Sequence, residues 1–204
     1  MLLAFQFLTI VPLRLPRAPT SADYAASTAW YPGVGLFIGL PGALAAAALG
    51  AHLPSSLVAL VVLTLPAILT GALHLDGFAD CCDAVFAPRS KEARLAILKD
   101  SRVGVFGAAG LVLLLLARFA ALASLPPAIL PVAALLAPAL GRWAMVLGLR
   151  WLPPARPGEG LAALFAVKAG SMPLALASLT AVAIAIALAR VWSLVAVAAA
   201  VIVT

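Results

Sequence analysis

Residues 103–123 read VGVFGAAGLVLLLLARFAALA, a run whose single charge is Arg118. A helix rising about 1.5 Å per residue crosses the roughly 30 Å hydrocarbon core of a bilayer in about 20 apolar residues. This stretch meets that length unaided. Comparable stretches lie on either side, at about 30–50, 55–75, 128–149 and 172–189, with a shorter one from Val191 to Thr204. The last is too short to cross comfortably and reads as cut short. The N-terminal MLLAFQFLTIVPLRLP is too short and too punctuated by proline for a span. It also lacks the basic leader and small-residue cleavage site of a signal peptide, so it is expected as an interfacial or re-entrant helix. The expectation is an all-α, polytopic integral membrane helical bundle. It has about six transmembrane segments plus that N-terminal helix, as one transmembrane domain over 1–204 without an internal repeat.

Composition agrees. Of 204 residues, 65% are hydrophobic and 10% charged, with mean hydropathy +1.18. A soluble domain is nearer 45–50% apolar and about 25% charged. Too few polar side chains remain to wet a globular surface, which excludes a soluble enzyme, a disordered chain and a nucleic-acid-binding domain. The net charge of +6 is then positive decoration of cytoplasmic loops rather than a polyanion site. Ten of the thirteen basic residues fall on one side of the alternating spans, against Arg190 alone on the other; Arg118 and Arg142 lie within spans. The N-terminus and the 76–102 segment are therefore expected on the cytoplasmic side of the membrane. The adjacent Cys81 and Cys82 are poorly placed for a disulfide and read as reduced thiols.

Five of the seven acids fall between 76 and 100, in LHLDGFADCCDAVFAPRSKEARLAILKD. Asp76, Asp80 and Asp83 are spaced i, i+4, i+7, which on a helix puts them at 0°, about 40° and about −20°. Three carboxylates on one stripe repel one another. A hard divalent cation is the natural compensation, since oxygen-only ligands favour Mg²⁺, Mn²⁺ or Ca²⁺ over zinc. Asp100 is close enough in sequence to return to the same place. The competing reading is a solvated acidic face on a helix. Arg89, Lys91, Arg94, Lys99 and Arg102 share the segment, and arginine grips phosphate with two parallel hydrogen bonds. Of these, Lys91 and Arg94 read as positive decoration, whereas Arg102 directly precedes Val103-Gly104-Val105-Phe106-Gly107, whose glycines permit close approach. His74 is open between ligand, base and boundary histidine. Arg142 either snorkels or points inward toward the acids, and Arg118 needs an inward partner that the sequence does not name. Carboxylates, a hard metal and arginines together suggest phosphoryl transfer, which is mostly positioning and charge neutralisation.

The segment His74-Leu75-Asp76-Gly77-Phe78-Ala79-Asp80-Cys81-Cys82-Asp83 resembles the HLDGxAD-xx-D signature of the cobalamin synthase (adenosylcobinamide-GDP ribazoletransferase) family. Leu95 to Gly107 resembles that family's IMKDSRxGxFG block. Phe7-Leu8-Thr9 with Pro12, Tyr31-Pro32 with Val34-Gly35, and Arg142-Trp143-Ala144-Met145 are similar to its FLTxxP, YPxVG and RWAM elements. The resemblance implies a Mg²⁺-dependent enzyme that joins adenosylcobinamide-GDP to α-ribazole or its 5′-phosphate and releases GMP. It implies that Asp76, Asp80 and Asp83 hold the metal on the pyrophosphate and that an acid such as Asp100 assists the attacking hydroxyl. Lys99 and Arg102 would bind phosphate oxygens, with His74, Arg89 and Arg142 as further substrate contacts. Oligomeric state stays open, a homo-oligomer included.

Two departures accompany the likeness. The family usually continues into a glycine-rich GGxTGDxxGA motif, whereas this chain stops at Thr204, so truncation is expected. Ala84 also stands where the family usually has glycine. Among rivals, a CDP-alcohol phosphatidyltransferase needs D-x-x-D-G-x-x-A-R; Asp80 and Asp83 start that pattern, but Ala84 replaces its glycine and no Ala-Arg follows in register. A transporter would place its acids in a broken helix near mid-bilayer, and a scaffold would leave the acidic concentration without a purpose.

Overall fold

The computed structural model describes residues 1–86, 90–98, 102–154, 164–165 and 171–203, the last with side chains to Ala189. Among these, every regular element is helical: α1 (Leu2–Leu8), α2 (Ser21–Ser27), a 3₁₀ turn (Thr28–Trp30), α3 (Tyr31–Leu49), α4 (Ser55–Leu69), α5 (Leu73–Phe86), α6 (Lys91–Ile97), α7 (Val105–Ala123), α8 (Leu130–Trp151) and α9 (Ser171–Val203). Among the described residues, four helical stretches are long and apolar enough to cross a membrane: Ser21–Leu49, Val105–Ala123, Leu130–Trp151 and Ser171–Ala189. The pair α4 and α5, bent by 90°, would make a fifth crossing if taken together. This is the architecture of a multi-pass membrane protein.

The segments expected at 172–189 and 191–204 are one continuous helix, α9. Arg190 separates them in sequence, but arginine is a good helix former, and neither proline nor glycine follows Met172-Pro173 to stop the helix. The stretch expected to span 55–75 instead breaks early. Gly71 and Ala72 both adopt left-handed backbone, with φ of 57° and 58°, and these two residues turn the chain from α4 into α5. The Thr70 hydroxyl donates to the Pro66 carbonyl at 2.9 Å, and the Ile10 backbone N–H donates to the Leu69 carbonyl at 2.9 Å. The free end of α4 is thus capped locally and by the N-terminal segment. A left-handed conformation costs a residue bearing a Cβ about 1–2 kcal/mol. Ala72→Gly is therefore expected to raise the thermal unfolding midpoint in detergent, by a stabilisation of about 1 kcal/mol; a lowered midpoint would show that the Ala72 methyl contributes more by packing than its backbone loses.

Helix α3 is the hub. Its buried Tyr31, Val34 and Ile38 pack with Val146 of α8, Ala177 of α9 and Ala4 and Leu8 of α1. Further along, Ala43 and Ala46 meet Val58 and Val62 of α4 and Leu130 and Ala134 of α8. Both Ala4 and Leu8 are fully buried while Leu2 and Gln6 are exposed, so the N-terminal segment is a short helix that packs one face against the bundle. The α3–α8 contact is a backbone approach: a Cβ at Gly35 would run into the Pro138 carbonyl and lie 2.6 Å from Ala139 Cα, and one at Gly39 would run into the Ala134 carbonyl. In lipid, where burial of apolar surface gives little between helices, such small-residue contacts provide the packing. Trp143 Nε1–H donates to Ser178 Oγ at 3.0 Å and ties α8 to α9. The exposed Val112, Leu113 and Leu116 of α7 are the apolar face expected of a helix against acyl chains.

Candidate functional site

Helix α5 runs antiparallel to the first half of α7. Asp83 lies against Gly104 and Gly107, Ala79 against Gly107, and Phe78 and Cys82 against Gly110, where an added Cβ would sit 2.6 Å from Cys82 Sγ. The three glycines lower the surface of α7 so that α5 can approach. Segment 76–86, expected at the mouth of a cytoplasmic loop, is therefore the second limb of a bent helix pair packed along a spanning helix.

Asp83 makes the decisive contact. One carboxylate oxygen accepts from the Gly104 N–H at 2.7 Å and the other from the Gly107 N–H at 2.8 Å. Gly104 is the N-cap of α7, whose first amides have no partners within the helix. Asp83 supplies that cap from a neighbouring helix, and its charge faces the positive end of the α7 dipole. A Cβ at Gly104 or Gly107 would collide with this carboxylate. The glycine run does permit close approach, and within the fold the approaching group is Asp83.

The helical spacing holds through α5, so Asp76, Asp80 and Asp83 share one face, with Asp76 exposed and the other two half-buried. Asp80 has the other two carboxylates among its charged neighbours. Among the described residues, no three His, Cys, Asp or Glu side chains gather closely enough to hold a metal ion. Asp83, expected as the third ligand, accepts one α7 amide at each carboxylate oxygen, which leaves a second lone pair on each. The remaining donor chemistry still suits Mg²⁺, which is usually held through one or two carboxylates together with substrate phosphates rather than in an all-protein cage. Arg102 is exposed two residues before the α7 cap. Arg89, Lys99 and Asp100 lie outside the described residues.

His74 and Arg142 stand elsewhere. Two residues along a helix are about 200° of rotation, so His74 leaves α5 on the side opposite Asp76. There it lines a cavity of about 190 Å³ with Thr70 of α4, Phe78 of α5, Arg118 of α7 and Arg142 of α8. Arg142 thus points into the bundle, away from the carboxylate face rather than toward it. Arg118, expected to face an inward partner, is exposed at the rim of this cavity, where only the packed structure brings it to Arg142 and His74.

Comparison with known proteins adds a family. The family model described as cobalamin-5-phosphate synthase matches residues 1–204. A protein of Desulfitobacterium hafniense is 40% identical over 157 residues, covering 76% of this chain and 62% of its own length. One of Stutzerimonas stutzeri is 44% identical over 167 residues, 80% of this chain and 68% of its own. One of Roseiflexus is 40% identical over 199 residues, 96% of this chain and 72% of its own. Each of these relatives is named adenosylcobinamide-GDP ribazoletransferase. The chain thus spans roughly two thirds of the length of the relatives it matches, and less than that for the first. No solved structure matches it.

Proposed function

Since the chain belongs to the cobalamin-5-phosphate synthase family, we propose that it joins adenosylcobinamide-GDP to α-ribazole or its 5′-phosphate and releases GMP, as a Mg²⁺-dependent transferase of the bacterial inner membrane. The observation that carries this reading is the carboxylate face of α5, anchored by Asp83 to the α7 N-terminus. An apolar chain that concentrates like charges on one stripe stores repulsion there, and a cation bound to a diphosphate relieves it.

In this reading Asp76 and Asp80 hold Mg²⁺, and Asp83 positions their helix. Mg²⁺ supplies charge neutralisation at the diphosphate. The ribazole hydroxyl oxygen bonds to the cobinamide-side phosphorus, the bond from that phosphorus to the bridging oxygen breaks, and GMP leaves. The hydroxyl proton passes to a carboxylate, with Asp100 as the candidate base. Arg102, Lys99 and Arg89 hold phosphate oxygens, while His74 and Arg142 contact substrate on the other side of α5. The surplus of basic residues around 76–102 favours a cytoplasmic site, with the N-terminus on the same side.

The bent α4–α5 pair favours one second reading. Broken helices recur in transporters, where half-helix ends hold ions near mid-bilayer. One experiment separates the two. Purified protein in detergent, given adenosylcobinamide-GDP and α-ribazole, is expected to release GMP in the presence of Mg²⁺, to stop when the metal is chelated, and to resume when Mg²⁺ is restored. Ion flux in sealed vesicles with both substrates left intact would decide for transport.

A further inference from the structure

Two guanidinium groups share one small cavity without an acid. We propose that the cavity between α4, α5, α7 and α8, at Arg118, Arg142 and His74, binds a phosphate group at a site separate from the carboxylate face. As an anion site this rests on the cavity alone; as a subsite for a substrate phosphate it rests also on the transferase reading.

Arginine within a spanning helix is expensive and normally faces a partner. No carboxylate lines this cavity among the described residues. Arg118 lies exposed at its rim, and Arg142 reaches in half-buried from α8. The Nε of Arg142 and the Nε2 of His74 are buried and find no hydrogen-bond partner among the described residues. A buried donor left without an acceptor costs about 1–3 kcal/mol, more where it is charged. The C-terminal carbonyl end of α4 faces the same space through Pro66, Ala67 and Thr70 and offsets part of the charge. It does not reach Arg142 Nε.

Size narrows the ligand. A cavity of about 190 Å³ equals about six water volumes of roughly 30 Å³ each. Sites that enclose a drug-sized molecule run to about 300–1,000 Å³. The space therefore admits an oxyanion head and leaves the rest of its molecule outside. Guanidinium forks match phosphate oxygens in pairs, and a neutral imidazole nitrogen adds a donor or an acceptor according to its tautomer. The phosphate can come from a nucleotide-like substrate or from a lipid headgroup.

The full chain in phosphatidylcholine nanodiscs, titrated with inorganic phosphate, is expected to show saturable thermal stabilisation. Arg118→Gln and Arg142→Gln should each weaken it by about tenfold or more. Where a glutamine variant fails to fold, the corresponding lysine variant keeps the charge, loses the fork and should bind more weakly than wild type. In phosphatidylglycerol discs, arginine-dependent stabilisation by the lipid itself, with no further response to phosphate, assigns the site to a headgroup. A response to neither phosphate nor phosphatidylglycerol, in wild type and variants alike, overturns the proposal and leaves a water-filled cavity. Phosphate binding without any GMP release would keep the cavity and remove the transferase reading. GMP release by the wild-type protein, with no response of that protein to phosphate or phosphatidylglycerol, would do the reverse.

Discussion

Asp80→Asn is expected to cut GMP release by about 10²–10³-fold, the scale of removing one charge-stabilising group from an active site, while the bundle stays as stable as before or gains slightly. The substitution keeps shape and removes charge. Asp80 stands between Asp76 and Asp83 on the same face of α5, and like charges at helical neighbour spacing destabilise by about 0.2–0.5 kcal/mol per pair. Relief of that repulsion should show as an unchanged or higher unfolding midpoint. A site kept for function at some expense to stability gives this combination, whereas a structural carboxylate does not. Asp83 is the internal contrast: its carboxylate accepts two backbone N–H groups of α7, so Asp83→Asn should lower the midpoint. Wild-type turnover by the Asp80→Asn protein, measured as GMP released with saturating Mg²⁺, would remove the carboxylate face from the mechanism.

Gly39→Leu is expected to produce a large loss of stability. Even a Cβ at Gly39 would run into the Ala134 carbonyl and lie 3.0 Å from Leu135 Cα. Those are backbone atoms of α8 and cannot rotate aside, so the two helices must part. Gly35, one turn earlier, makes the same approach to Pro138 and Ala139. Separation would therefore open the packing of Ala43 and Ala46 against Leu130 and Ala134 as well. Overpacking costs about 1–3 kcal/mol and occasionally more, and here it falls on the helix that joins both core clusters. A lowered unfolding midpoint and aggregation on size exclusion are the expected readouts. Gly33→Leu is the control, since nothing lies within 4 Å of its Cβ position and leucine is the better helix former at either site; equal losses from both substitutions would show that the α3–α8 contact is not responsible.

The sequence by itself determined the class of fold and the face that carries the acids. Uninterrupted apolar length places the helices because a bilayer requires it, so 103–123 and 128–149 fall within about two residues of α7 and α8. Helical period alone aligns Asp76, Asp80 and Asp83. Short motifs carried the family, which the comparisons bear out over the whole chain. Tertiary structure decided the rest. The left-handed pair Gly71–Ala72 ends α4 early because the chain must turn by 90° there, and neither propensity nor apolar length signals that turn. Asp83 became the cap of α7 because three glycines, 21 to 27 positions further along the chain, let α5 approach it. His74, Arg118 and Arg142 come from three helices, and only their packing makes one cavity of them. Periodicity is a local property of a chain; which faces meet depends on close contacts between residues far apart in sequence.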